Sequence, residues 1–259
     1  MPAVTLGDRK DLPEIAKQLT DNPTAPRHQW MIENDEWRHA VRAYLAANSF
    51  VDHLVGMMID ALDQSGASDN TVIVLWSDHG FHLGEKLRWA KRTLWEETTR
   101  VPLIIAGPDA AKDSICDRPV GLIDVYPTLL ELCGLPPRDV LEGTSLRPLL
   151  IDPDASWNRP AICTFGPNNH TLRGNRYRYT RYADGSQELY DHDVDPNEWH
   201  NLVTADGSCS EQHQLVIDQM KNWLPEQNAE PVPGSAGSDS PLYGEGGDVT
   251  LEQAMKKSK

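Results

Sequence analysis

The sequence predicts an α/β protein with a parallel-sheet core and helices, followed by a small antiparallel sheet and a last helix. Three observations carry the prediction. Two uninterrupted apolar runs of strand length stand at 71–76 and 101–106. A long segment of helical periodicity precedes the first run, and short strand candidates with a turn signal between them follow residue 150.

Taken in order, residues 1–34 are rich in Pro, Asp and Asn without periodicity and read as an irregular lead-in. From Asp35 the pattern changes. Trp37, Val41, Tyr44, Leu45, Val51, Leu54, Val55, Met58, Ile59 and Leu62 recur at helical spacing, which predicts a long amphipathic helix over 36–63, or two in line, ended by Ser65-Gly66. Thr71-Val72-Ile73-Val74-Leu75-Trp76 then reads as a strand buried on both faces, the signature of a parallel sheet. Val101-Pro102-Leu103-Ile104-Ile105-Ala106 repeats it, with Pro102 tolerable at the strand start. Ile123–Leu132 predicts a helix with Gly134 beyond its end. This gives an α/β core over 35–150.

Beyond it, 161–165, 177–182 and 188–190 are short strand candidates, and Ala183-Asp184-Gly185-Ser186 is a turn signal between the last two. Ser210 can cap a helix carrying Leu215, Ile217, Met220, Trp223 and Leu224, ending at Pro225. An antiparallel α+β subdomain over 151–225 is the expectation. From 226 to 259 Gly, Ser, Pro and acidic residues dominate, and the composition predicts a disordered tail.

The charge excludes one class of function. A net charge of −15 argues against nucleic acid as a partner, since a phosphate backbone would be repelled at long range. No apolar run reaches the roughly 20 residues of a membrane span. Cys116, Cys133, Cys163 and Cys209 form no C-x-x-C pair, so neither a zinc site nor a dense disulfide framework is indicated. The first ten residues lack the basic start and apolar run of a secretion signal. Two basic clusters occur. Lys86/Arg88/Lys91/Arg92 and Arg173/Arg176/Arg178/Arg181 each suit an anionic ligand or a solvated face, and the second reads better as a solvated face.

Asp78 and His79 follow the first apolar strand directly, where open α/β sheets place ligand-binding residues. A carboxylate beside an imidazole offers a hard and a borderline metal ligand at one point, and Gly80 lets the backbone pass close by. On pattern alone, a turn with a capping carboxylate is the better-supported reading. Lys91, in a basic loop, reads alone as a surface lysine. His82 shares that loop with nothing to fix its direction, and Trp89 and Trp95 read as packing residues. Asp124 reads as a helix-start residue and Tyr126 as a core aromatic. His28, His39 and His53 have no recognisable partner spacing.

The context adds specificity. The run Ser77-Asp78-His79-Gly80-Phe81-His82-Leu83-Gly84-Glu85 with Trp89-Ala90-Lys91 resembles the sulfatase family, in particular its iduronate-2-sulfatase-like branch. The likeness extends to Thr99-Arg100-Val101-Pro102-Leu103-Ile104, Asp124-Val125-Tyr126-Pro127-Thr128-Leu129, Leu189-Tyr190-Asp191 and Asp195-Pro196-Asn197-Glu198. It implies an alkaline-phosphatase-like core, calcium held by Asp78 and His79, and Lys91 on the sulfate group, as both a substrate contact and a catalytic residue. It also implies a sulfate-ester substrate, a sulfated carbohydrate by family expectation, and an exported location.

Family catalysis uses a formylglycine made from a C-x-P-S-R or C-x-A-S-R motif. None of the four cysteines stands in such a motif, and no serine version occurs. The paired aspartates that complete the family's metal site are also absent. The resemblance therefore implies the C-terminal portion of a sulfuric ester hydrolase, with weak calcium binding and no turnover by the chain alone. Two alternatives stay open at this point: a phosphonate or phosphate monoester hydrolase of the same superfamily, and a non-catalytic module binding sulfated glycans.

Overall fold

The computed structural model describes residues 1–21, 25–107 and 110–229. The elements run α1 (Glu14–Thr20), α2 (His28–Glu33), α3 (Trp37–Ser65), β1 (Ile73–Trp76), β2 (His82–Leu83), β3 (Trp89–Ala90), α4 (Glu96–Thr99) and β4 (Leu103–Ala106). They continue with α5 (Val125–Leu132), α6 (Arg147–Ile151), β5 (Ala161–Thr164), β6 (His170–Arg173), β7 (Tyr177–Arg181), β8 (Gln187–Asp191) and α7 (Glu211–Lys221). Much of the predicted tail, residues 230–259, lies outside the described residues.

The periodic segment is one helix, α3, stopped where Gly66 takes the left-handed conformation (φ 72°). Its first turns pack. Trp37, Ala40 and Val41 meet Met31, Phe81 and Trp89, and the Trp37 indole donates to the Leu83 carbonyl at 2.7 Å. From Leu45 onward most of the same apolar stripe is uncovered among the described residues, with Leu45, Val51, Leu54, Met58 and Ile59 exposed.

The two apolar strands exist, but the predicted parallel pairing is wrong. β1 and β4 form a two-stranded antiparallel sheet, Ile73 opposite Ala106 and Trp76 opposite Leu103. The reason lies in the connection. A parallel return needs a crossover of a dozen or more residues, usually a helix, on one face of the sheet. The segment between β1 and β4 instead holds a two-residue hairpin, β2 with β3, and the single turn α4. Nor are these strands buried on both faces: Leu75, Trp76 and Ile104 are exposed.

Residues 1–34, expected to be irregular, contain α1 and α2 and contribute to the core. Leu12, Ala16 and Leu19 pack with Leu94, Trp95, Tyr182 and Tyr190. That cluster covers one face of an antiparallel sheet ordered β5-β6-β7-β8. Leu172, Tyr179 and Leu189 alternate to the other face and meet Ile217 of α7 and Val203. The predicted turn is present. Tyr182 N–H donates to the Ser186 carbonyl at 3.0 Å, with Gly185 at φ 87°.

The Ser210 hydroxyl accepts from the His213 amide at 3.2 Å and caps α7, which ends at Lys221 rather than Pro225. Asp124 does serve a chain turn. Its carboxylate accepts from the Gly121 amide at 2.9 Å and the Thr144 amide at 2.8 Å. Tyr126, read as a core aromatic, is exposed. No helix among the described residues is long and apolar enough to cross a membrane.

Candidate active site

Asp78 and His79 lie just past β1, and the loop 84–92 brings Lys91 back to them. The backbone at Gly80-Phe81 is stitched to α4, Gly80 N–H to the Thr98 carbonyl at 2.9 Å and Phe81 N–H to the Glu97 carbonyl at 2.7 Å. A Cβ at residue 80 would run into the Glu97 carbonyl oxygen, so only glycine allows this approach.

The His79 ring is oriented from both sides. Its Nδ1–H donates to the Gly80 carbonyl at 2.7 Å, and its Nε2 accepts from the Lys91 ammonium at 2.6 Å. A carbonyl can only accept and an ammonium only donate, so the two partners fix the Nδ1-protonated tautomer. Asp78 Oδ1 lies 3.7 Å from the same Nε2, and the Asp78 side chain is 75% exposed. One carboxylate, one imidazole lone pair and one ammonium thus converge at the mouth of a cleft of about 1280 Å³.

Asp78 and His79 fit a divalent cation as part of a ligand set. The carboxylate supplies hard oxygens, and the backbone tether on Nδ1 leaves Nε2 as the ligand atom of the ring. Lys91 occupies the Nε2 lone pair in this structure.

The loop that presents Lys91 is anchored by buried charge. The Lys86 ammonium lies 2.8 Å from Asp8 Oδ1, donates to the Glu198 carbonyl, and sits over the Trp95 and Tyr190 rings. Burial pushes the Asp8 carboxyl up, and the Lys86 charge and its hydrogen bonds oppose that. His82 is also buried, its Nε2 2.8 Å from Thr93 Oγ1. Burial, with Arg88 nearby, lowers it to about 3, so it is a neutral packing group and does not face substrate. Trp89 and Trp95 are core residues as expected, and the Trp95 indole donates to Glu188 at 2.8 Å. His28 is buried and accepts from the Trp89 indole at 3.2 Å.

Sequence reasoning missed the hub beside this loop. Glu96, His192 and Glu198 converge closely enough to hold a metal ion. They are already committed. Glu198 accepts from Arg178 Nε at 2.5 Å, His192 Nε2 at 2.9 Å and the Glu96 amide at 3.0 Å. Glu96 accepts from Arg178 and, at 3.4 Å, from Arg173. Burial alone would raise the Glu198 carboxyl, but the Arg178 charge and the His192 hydrogen bond hold it down at about 2. Two guanidinia facing two carboxylates make this an ionic anchor joining the loop to the β-sheet.

The second basic cluster is only in part the solvated face it resembled, since Arg176 and Arg181 are exposed while Arg173 and Arg178 turn inward. Arg178 is buried at the hub, Arg173 pairs with Glu96, and Arg176 grips Asp191 through two bonds of 2.8 and 2.6 Å. Its signal was an arginine in the inward register between Tyr177 and Tyr179, a position that demands a buried partner.

Comparison with known proteins points to one family. The sulfatase family model matches residues 10–135, and the model of the N-sulphoglucosamine sulphohydrolase C-terminal region matches residues 84–230. A sulfatase of Formosa agariphila is 41% identical over 228 residues, covering 88% of this chain and 44% of its own length. A solved structure in complex with its substrate D-glucosamine-2-N,6-O-disulfate superposes with TM-score 0.61 at 27% identity, over 72% of this chain and 40% of the other. The phosphonate monoester hydrolase of Silicibacter pomeroyi gives 0.58 at 26% identity, over 66% and 37%. The chain thus spans less than half the length of these relatives, and the family matches together with the 41% identical relative show that it belongs to the sulfatase family.

Proposed function

We propose that this chain is the C-terminal portion of a sulfuric ester hydrolase of the iduronate-2-sulfatase-like branch, acting on a sulfated glycan. The observation that carries the reading is the meeting of Asp78 Oδ1 and Lys91 Nζ at Nε2 of His79. Asp78 and His79 are two of the calcium ligands, and Lys91 is the sulfate contact. The ammonium binds a sulfate oxygen and offsets the negative charge that grows on the leaving oxygen as the S–O bond breaks. A calcium ion at Asp78 and His79 would neutralise charge on the sulfate oxygens. The nucleophile, a formylglycine by family expectation, comes from sequence outside this chain.

The uncovered apolar stripe of α3 and the exposed Leu75, Trp76 and Ile104 support a portion of a larger fold. Calorimetric titration of the purified chain with N-acetylglucosamine 6-sulfate in millimolar calcium tests the reading. Binding that weakens in Lys91→Ala is expected; affinity indifferent to Lys91 would overturn it. The likeness to a phosphonate monoester hydrolase keeps one second reading, in which an aryl phosphonate monoester binds at Lys91 more tightly than the sulfate ester does. A glycan-binding module built on the Arg173–Arg181 cluster is not favoured, since Arg173, Arg176 and Arg178 are engaged within the fold.

A further inference from the structure

Arg92 follows Lys91 and lines the same cleft. It is half-buried, and it makes no hydrogen bond or ion pair with any described residue. The other arginines of the cleft are either paired within the fold or turned to solvent. Arg118 donates to the Asp154 carbonyl at 3.3 Å, Arg173 and Arg178 belong to the ionic hub, and Arg100, no nearer than 4.0 Å to Glu96, differs from Arg92 in pointing its side chain, 80% exposed, to solvent.

The backbone explains how two neighbours come to line one cleft. In an extended chain successive side chains point to opposite sides. Here Arg92 has φ 72° and Ala90 φ 67°, both in the left-handed region that non-glycine residues avoid, and the turn they make breaks the alternation. Such a conformation persists only where its surroundings enforce it. The enforcement is visible on both flanks. Trp89 and Ala90 are paired with Leu83 and His82, and the Thr93 hydroxyl lies 2.8 Å from His82 Nε2 and 2.6 Å from the Thr98 hydroxyl. Only Lys91 and Arg92 are left to face the cleft between these anchors.

A half-buried guanidinium without a counter-charge, held in a rare backbone conformation beside the proposed sulfate contact, is suited to a ligand anion. We infer that Arg92 is a specificity residue that receives a second anionic group, a sulfate or a carboxylate, on the substrate whose sulfate ester sits at Lys91. The inference rests on the sulfate-ester reading of the cleft. It narrows the substrate class to glycan units carrying two negative charges.

The test is calorimetry on the purified chain at low ionic strength in millimolar calcium, with two matched probe pairs. D-glucosamine-2-N,6-O-disulfate is set against N-acetylglucosamine 6-sulfate, and 2-O-sulfated glucuronic acid against its methyl ester. The dianionic member of at least one pair binds about fivefold more tightly than its partner, as expected of a partly exposed charge pair. The pair that shows the preference identifies the second group as sulfate or carboxylate. In Arg92→Gln the ratio collapses to about one, and Arg92→Lys restores part of it.

A ratio in Arg92→Gln equal to that of the parent chain, with Lys91→Ala still weakening all four probes, overturns the inference and leaves the reading of the cleft standing. Affinity for all four probes unchanged in Lys91→Ala overturns the reading itself and the role of Arg92 with it.

Discussion

Glu97 gives the sharpest quantitative handle on this fold. It sits on α4 directly beneath the candidate site, its carbonyl holding the Phe81 amide against the Gly80 turn. Burial pushes its carboxyl up to about 7 from an ordinary 4.5, Glu198, Glu85 and Glu96 add repulsion, and its own backbone amide only partly opposes them. The folded state therefore holds this proton more tightly than the unfolded chain does. Stability is fully present below about pH 4.5, falls as pH rises through about 7, and levels off above.

At 1.36 kcal/mol for each tenfold change in proton affinity, ionised Glu97 costs the fold about 3 kcal/mol. Glu97→Gln removes the charge and keeps the shape. Urea denaturation at pH 4.5 and pH 8.5 should find variant and parent nearly equal at the acid end. At the alkaline end the variant should be more stable by about 3 kcal/mol, or roughly 6–12 °C in Tm for a protein of this size. The Glu198 carboxyl, held at about 2, titrates below this window and does not contribute to the difference. A gap between variant and parent that is the same at both pH values would refute the argument.

Three further outcomes follow from the same structure. Gly80→Ala drives a methyl into the Glu97 carbonyl, which backbone on both sides keeps in place, and should cost about 3 kcal/mol in chemical denaturation. Lys86→Met leaves Asp8 buried without its counter-charge and should cost about 3–5 kcal/mol, whereas pairing it with Asp8→Leu should recover most of that loss in a double-mutant cycle. His82→Gln removes a ring that stays neutral in the fold but protonates near 6.5 in the unfolded chain, so the parent's loss of stability between pH 7 and pH 5 should shrink by about 2 kcal/mol in the variant, as followed by chemical denaturation at pH 5, 7 and 9.

The candidate site was more legible in the sequence than the sheet that carries it. Asp78, His79 and Lys91 announced themselves by position after an apolar strand and by the surrounding motif, and the structure brings all three together. The strand itself was readable because β-branched residues at 71–76 leave few other conformations. Its pairing was not, because an apolar run reports hydrophobic faces and says nothing about the direction of its neighbour. The β6 strand, His170–Arg173, escaped notice since three of its four residues are polar and find their partners, Thr164, Arg178 and Glu96, only once the neighbouring strands and α4 are in place.

The same holds for Glu188, Glu198 and Arg178. Each looks like a surface charge until the fold puts Trp95, Tyr182, His192 and Glu96 around them. The helices of the lead-in were hidden by the short length of α1 and α2, seven and six residues, which is below what periodicity can reveal.

The account stands most directly on whether Asp78 and His79 hold a metal ion together. Nitrogen-15 NMR of the His79 ring during calcium titration of the purified chain measures this. The account predicts that the Nε2 resonance moves with a millimolar midpoint, as a site with two protein ligands should give, and that Asp78→Asn abolishes the movement. An Nε2 signal that stays still at saturating calcium, or that moves equally in Asp78→Asn, would contradict it.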